Sequence, residues 1–367
     1  MHLLKFHFLL LIFSLYSIFA SAQHKVPAAK YTLLANYHYG FLMQHGDDMG
    51  HLANQRPLKF ELDLKIQTDG SKDWQVINNY PVVGYSLNYL HFDPKKPIGD
   101  ALALVIYYGK PFFRTNKSEL RWRLGIGPGF VFRKFDIMTN NKNNITGSTF
   151  NYCLNGAINF STSLSKRLLF NTGIGLFHLS NGAMKMPNLG MNIPAIYAGI
   201  GFTSVKQVTF TAPDAERKKR PNSLNLAFGG GFKEIKPIGG SRYLAGVFSA
   251  YYDLGINSRT CLNLGYDFIY DYSAKAEIRR GTYDKKLVNA NYIRHGMALG
   301  FHYFISKVSF VGQCGYYVFD PLKRYKPFYQ RYTVKYNFTE AISAGVALKA
   351  HFGQAELVEW TIGYTLK

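Results

Sequence analysis

Residues 121–133 read Arg-Trp-Arg-Leu-Gly-Ile-Gly-Pro-Gly-Phe-Val-Phe-Arg, and alternation splits them into two unlike sets. The even positions hold Trp122, Leu124, Ile126, Pro128, Phe130 and Phe132. The odd positions hold Arg121, Arg123, Gly125, Gly127, Gly129, Val131 and Arg133. Successive residues of an extended chain point to opposite sides. The segment therefore predicts a strand with one greasy, aromatic face and one small, cationic face, and the same period recurs along most of the chain. A water-soluble sandwich would turn its greasy faces inward. A strand wall that crosses a bilayer does the reverse, apolar side out and polar side in.

The first residues favour the second arrangement. Met-His-Leu-Leu-Lys is followed by an apolar run from Phe6 to Phe19 and then by Ala20-Ser21-Ala22-Gln23. A basic start, an apolar core and small residues before a cut form a secretory signal. Residues 1–22 are thus expected to be removed after Ala22, leaving 23–367. No later stretch offers ~20 uninterrupted apolar residues, as a spanning helix requires. Yet 27 Tyr, 29 Phe and 34 Gly are present, the material of aromatic girdles and a small-residue interior. The expected fold is all-β, an antiparallel transmembrane β-barrel in the outer membrane.

Sixteen candidate strands lie between residues 31 and 367. Segment 206–222, polar, highly charged and bracketed by prolines, has eight on each side. It reads as one long periplasmic turn in a sixteen-stranded barrel, the favoured arrangement. It also reads as a linker between an eight-stranded barrel (31–205) and a second eight-strand β unit (223–367). Connections alternate long and short, except that 69–79 is too long for its place. Cys153, Cys261 and Cys314 fall within expected strands and read as packed thiols, not a disulfide framework.

The formal charge is +21. Such a charge raises nucleic acid as a partner, but an exported chain without a nucleic-acid motif points instead to an anionic, phosphate-rich glycolipid surface.

The densest chemistry sits at the end of the seventh strand and the start of the eighth. His178 and Ser180 share a face with Leu168, Phe170, Ile174 and Leu176; Asn192 shares one with Pro194, Ile196, Ala198, Ile200 and Phe202. Both faces are the greasy ones, so all three polar groups are expected at the outer rim of the lipid-facing wall. Polar groups there are costly unless satisfied or functional. A Ser beside a His is the minimum for nucleophilic acyl transfer when a third group orients the imidazole. A rim His and Ser in the headgroup zone are also ordinary, and spacing alone favours that plainer reading.

The run His178-Leu179-Ser180-Asn181, followed by Lys185, Pro187-Asn188 and Gly190, resembles the active-site signature of the outer-membrane lipid A 3-O-deacylases, β-barrels of the acyloxyacyl hydrolase kind. The resemblance implies a barrel that removes an ester-linked acyl chain from lipid A or lipopolysaccharide in the outer leaflet, with no metal or other cofactor. It implies His178 as general base, Ser180 as nucleophile, and Asn181 and Asn188 as candidate oxyanion contacts. The position of the family's acid holds Asn192, which has no charge. That leaves three alternatives: lowered activity, an acid supplied by another strand, or an inactive homologue. The rival expectation is a non-enzymatic barrel, a porin or scaffold with a vestigial motif.

Three further clusters carry weaker signals. His351 and Glu359 read as lumenal and Glu356 as facing the other side, a charge network in preference to a second site. The loop His45-Gly46-Asp47-Asp48-Met49-Gly50-His51 collects metal-type ligands without a recognised spacing and reads as an outer loop. Arg279, Arg280, Lys285 and Lys286 on one outer loop, and Lys323, Arg324 and Lys326 on the next, read equally as phosphate contacts or as solvated charges.

Overall fold

The computed structural model describes residues 28–44, 46–53, 55–208, 210, 218–281 and 293–367. The expected signal segment, His45, Lys285 and Lys286 lie outside them. Among the described residues no helix is long and apolar enough to cross a membrane.

Sixteen antiparallel strands form two closed barrels. The first comprises β1 (Tyr31–Gly40), β2 (Leu58–Gln67), β3 (Val82–His91), β4 (Ala101–Arg114), β5 (Ser118–Val131), β6 (Phe150–Ser163), β7 (Leu168–Ser180) and β8 (Met191–Thr203). It closes where β1 pairs with β8, from Thr32 opposite Thr203 to Gly40 opposite Ala195. The second comprises β9 (Ser223–Glu234), β10 (Arg242–Gly255), β11 (Thr260–Asp271), β12 (Ile293–Phe304), β13 (Val308–Phe319), β14 (Phe328–Asn337), β15 (Ile342–His351) and β16 (Gln354–Leu366). It closes through β9 and β16. The favoured single barrel of sixteen is thereby corrected to the alternative, an eight-stranded barrel followed by a second β unit. An eight-stranded interior is just wide enough for side chains to fill, and the inward residues here do fill it.

In the first lumen Arg123 donates to Asp63 at 2.9 Å and to Glu61 at 2.8 Å, and Tyr107 donates to Asp63 at 2.6 Å. His38 lies 3.0 Å and Lys59 3.4 Å from Glu61. The space between His38, Lys59, Arg123, Phe177 and Tyr197 is about 10 Å³, no more than one water needs. The outer wall of the same strands is apolar and exposed, as at Tyr37, Phe60, Leu62, Leu104, Ile106 and Leu124. Segment 68–81, long for its place, is a compact staple. It carries α1 (Asp73–Ile77), Thr68 Oγ1 donates to the Pro81 carbonyl at 2.6 Å, and Gln67 Nε2 donates to that of Tyr80 at 2.8 Å.

The second lumen is closed the same way. Arg331 pairs with Glu359 at 2.6 Å, Lys233 with Asp271 at 2.6 Å, and His351 with Glu356 at 2.9 Å. Glu356 thus faces the lumen, against the expectation from parity. The pairing of β15 with β16 slips between Lys349 and Ala350. Such a bulge adds an unpaired residue and re-aims a side chain. Arg324 is also inward and not solvated, 3.0 Å from both Asp271 and Glu277 of α2 (Tyr272–Arg279). Cys153 and Cys261 are buried, whereas Cys314 is exposed on the outer wall; all three are free.

Candidate active site

β7 and β8 are neighbours, and their register sets His178 directly opposite Asn192. The two side chains meet at 2.6 Å, His178 Nδ1 to Asn192 Oδ1. An amide oxygen only accepts, so the imidazole donates through Nδ1–H. Its Nε2 then keeps a lone pair, the tautomer a general base needs. Ser180 is the last residue of β7 and is buried. It follows His178 by two positions, on the same face of the strand.

The two loop asparagines differ. Asn181 is fully buried and committed: Nδ2 donates to Ser148 Oγ at 2.9 Å and to the Lys185 carbonyl at 2.7 Å, and its backbone N–H donates to Asn188 Oδ1 at 2.8 Å. It ties the loop together through both its amide nitrogen and its backbone N–H. Asn188 is anchored by its oxygen, and its Nδ2 makes no hydrogen bond among the described residues. Backbone geometry holds the turn between them, with Gly182 and Ala183 both at positive φ (63° and 69°). No group of His, Cys, Asp or Glu among the described residues is arranged to hold a metal ion.

Sequence reasoning missed a groove. A cavity of about 680 Å³, almost wholly apolar, is cut into the outer wall of the first barrel by residues of β6, β7, β8 and β1 with Phe41 and Arg56. Its walls include Ile158, Ile174, Leu176, Pro194 and Ile196. Leu176 and Pro194 are paired across the strands, two positions from the His178–Asn192 pair and on the same face. The gap arises at Gly156, an outward position with no side chain; a Cβ built there meets only Leu124 Cδ1, at 3.8 Å. The signal was legible in principle, as one glycine in the greasy series Phe150, Leu154, Ile158.

A Ser–His–acid chain lies inside the other barrel. Asp253 Oδ2 is 2.7 Å from His302 Nδ1, and His302 Nε2 is 2.9 Å from Ser309 Oγ. Triad distances are met, but all three residues are buried, at 1%, 2% and 0% exposure. Asn225 and Asn263 also donate to Asp253, and Asn337 to Ser309. These bonds make a satisfied lumenal network on inward positions, without access for a substrate.

Residues 58–200 match the family described as lipid A 3-O-deacylase (PagL), and residues 222–367 match the C-terminal domain of acyloxyacyl hydrolase in the same group. The chain belongs to the lipid A 3-O-deacylase family. Membership places it among outer-membrane β-barrel hydrolases whose substrate is lipid A. No curated protein sequence matches. Among solved structures, a mutant porin of Rhodopseudomonas blastica aligns at 6% identity over 92% of this chain and 100% of that one, with a TM-score of 0.18. The outer membrane protein Omp33 of Acinetobacter baumannii aligns at 9% identity over 94% and 100%, with a TM-score of 0.17.

Proposed function

We propose that the first barrel is a serine ester hydrolase that removes an ester-linked acyl chain from lipid A at the outer leaflet. The observation that carries the reading is the 2.6 Å hydrogen bond from His178 to Asn192, on the lipid side of the wall and next to an apolar groove. Ser180 Oγ attacks the acyl carbonyl while His178 Nε2 takes its proton. The tetrahedral intermediate collapses to an acyl-serine, and the proton passes to the departing sugar hydroxyl. Water, deprotonated by His178, then releases the fatty acid and restores Ser180. Asn192 keeps the productive tautomer, but without the charge that an acid would set against the imidazolium. The Asn188 amide nitrogen supplies an oxyanion donor. A lipid-facing site admits a substrate that never leaves the bilayer, and the groove takes the scissile chain.

The chain reaches the membrane as 23–367, after a cut behind Ala22; mass spectrometry of the purified N-terminus should find Gln23 first. The reaction itself is tested by mass spectrometry of lipid A from cells expressing the chain or its Ser180→Ala form, with insertion of each checked by heat-modifiable gel mobility. Lipid A short of one acyl chain only where Ser180 is present supports the proposal. Identical lipid A from two well-inserted chains overturns it.

A further inference from the structure

Arg56 stands at the lip of the apolar groove, just before β2. It is exposed and forms no ion pair among the described residues. Its guanidinium is nevertheless positioned: Nη1 donates to the Tyr39 hydroxyl at 2.7 Å, and the group lies 5.7 Å from the Tyr39 ring centre. Tyr39 is itself an outward residue lining the groove. A cation on a lipid-facing wall asks for an anion at the same depth, and one N–H of a guanidinium bound to a phenol leaves four for another acceptor.

The position relates this cation to the site. Met43 N–H donates to the Asn192 carbonyl at 2.8 Å, and Leu42 N–H to that of Gln55 at 2.7 Å. The backbone beside Arg56 is therefore two strand spacings from Asn192, about 10 Å. The groove lies just below the His178–Asn192 pair, across the same strands. An amphiphile with its chain in this groove presents its headgroup between the pair and Arg56. Planar guanidinium matches phosphate oxygens in bidentate fashion.

We propose that Arg56, held by Tyr39, binds a phosphate on the sugar headgroup of the acylated substrate, so that the enzyme selects phosphorylated glycolipids over their dephosphorylated forms. This rests on the deacylase reading for the identity of the acyl ester. Arg56 is a positioning residue: it fixes the headgroup so that the neighbouring ester meets Ser180.

The test uses the full chain carrying Ser180→Ala, in detergent, so that binding is read without turnover. Native mass spectrometry measures its affinity for a monophosphorylated diacylglucosamine and for the same lipid without phosphate. The expected result is a preference of about tenfold for the phosphorylated lipid, in line with one charge-assisted bidentate contact. Arg56→Gln should remove that preference, and Arg56→Lys should restore part of it. Arg133→Gln, which removes an exposed arginine whose own bonds go to the Pro94 and Lys96 carbonyls, should leave the preference intact. Inorganic phosphate at millimolar concentration should not displace the lipid. Equal affinity for the two lipids, a preference that survives Arg56→Gln, or an equal loss with Arg133→Gln overturns the proposal. Acyl release by the Ser180 chain is scored separately. Its absence would remove the deacylase reading and leave the binding ratio to decide the phosphate site.

Discussion

Asn192 stands where a triad acid belongs, and replacing it by leucine or aspartate asks what an uncharged orienter contributes. The imidazole Nδ1–H donates to Asn192 Oδ1 at 2.6 Å, a partner set opposite by strand register. Asn192→Leu keeps the bulk and removes that acceptor, so the ring no longer prefers the tautomer with a free Nε2. The expected fall in kcat is at least about 100-fold, bounded by the roughly 10⁴-fold cost of a wrong tautomer in a triad. Asn192→Asp keeps the geometry and adds a charge beside the imidazolium that forms on attack. A charge-assisted hydrogen bond is about twice as strong as a neutral one, a gain on the order of 1–2 kcal/mol in the transition state. That corresponds to about a five- to thirtyfold rise in kcat. The assay is single-turnover release of fatty acid from lipid A in mixed micelles, with folding of each variant checked by heat-modifiable mobility. A leucine variant as fast as the parent would show that something else holds His178. An aspartate variant more than tenfold slower would show that the amide nitrogen has its own role, and the orienting argument would fail.

Three further outcomes are expected. Gly156→Leu fits the folded wall, since a Cβ there meets only Leu124 Cδ1 at 3.8 Å, yet it fills the groove; KM for long-chain substrates should rise about tenfold while a short soluble ester is cleaved as before. Ser309→Ala should leave lipid A deacylation unchanged but lower the stability of the second barrel by about 1–3 kcal/mol, because the buried His302 Nε2 loses its partner; thermal unfolding and labelling with a fluorophosphonate, expected at Ser180 alone, check the two halves of that statement. Arg123→Ala leaves Glu61 and Asp63 buried without their main counter-ion, so unfolding in denaturant should show a loss of about 3–5 kcal/mol.

Strand count and wall polarity were legible because each follows from a period of two, and the same period puts His178 in series with Leu176 and Asn192 in series with Pro194. Register was not. Period-two reading cannot say that His178 faces Asn192 across the ladder, nor that Asp253, His302 and Ser309, spread over three strands, meet at triad distances. It failed outright at Glu356, because a bulge between β15 and β16 inserts one residue there and reverses the parity of β16 on either side of it. Nor could it say that Asn181 donates to Ser148 and to the Lys185 carbonyl. An asparagine at a loop entrance looks the same in sequence whether its amide meets substrate or ties down Ser148 and Lys185.

Closure into eight rather than sixteen was readable by an argument that parity alone does not supply. A sixteen-stranded barrel holds water, and its inward charges need no partners. An eight-stranded barrel has no such water, so every inward charge must find an opposite one across the lumen or stay costly. The inward positions of β2 carry Lys59, Glu61, Asp63 and Lys65, and those of β5 carry Glu119, Arg121 and Arg123. Alternating or mixed signs on single strands, able to match across a narrow interior, mark a filled barrel. Arg123 of β5 reaches Glu61 and Asp63 of β2, while Arg121 pairs along its own strand with Glu119 at 2.9 Å. A lumen spent on its own ion pairs has no room for a substrate. Chemistry on such a barrel must then move to the rim or the lipid face, where His178 meets Asn192 and Arg56 meets Tyr39.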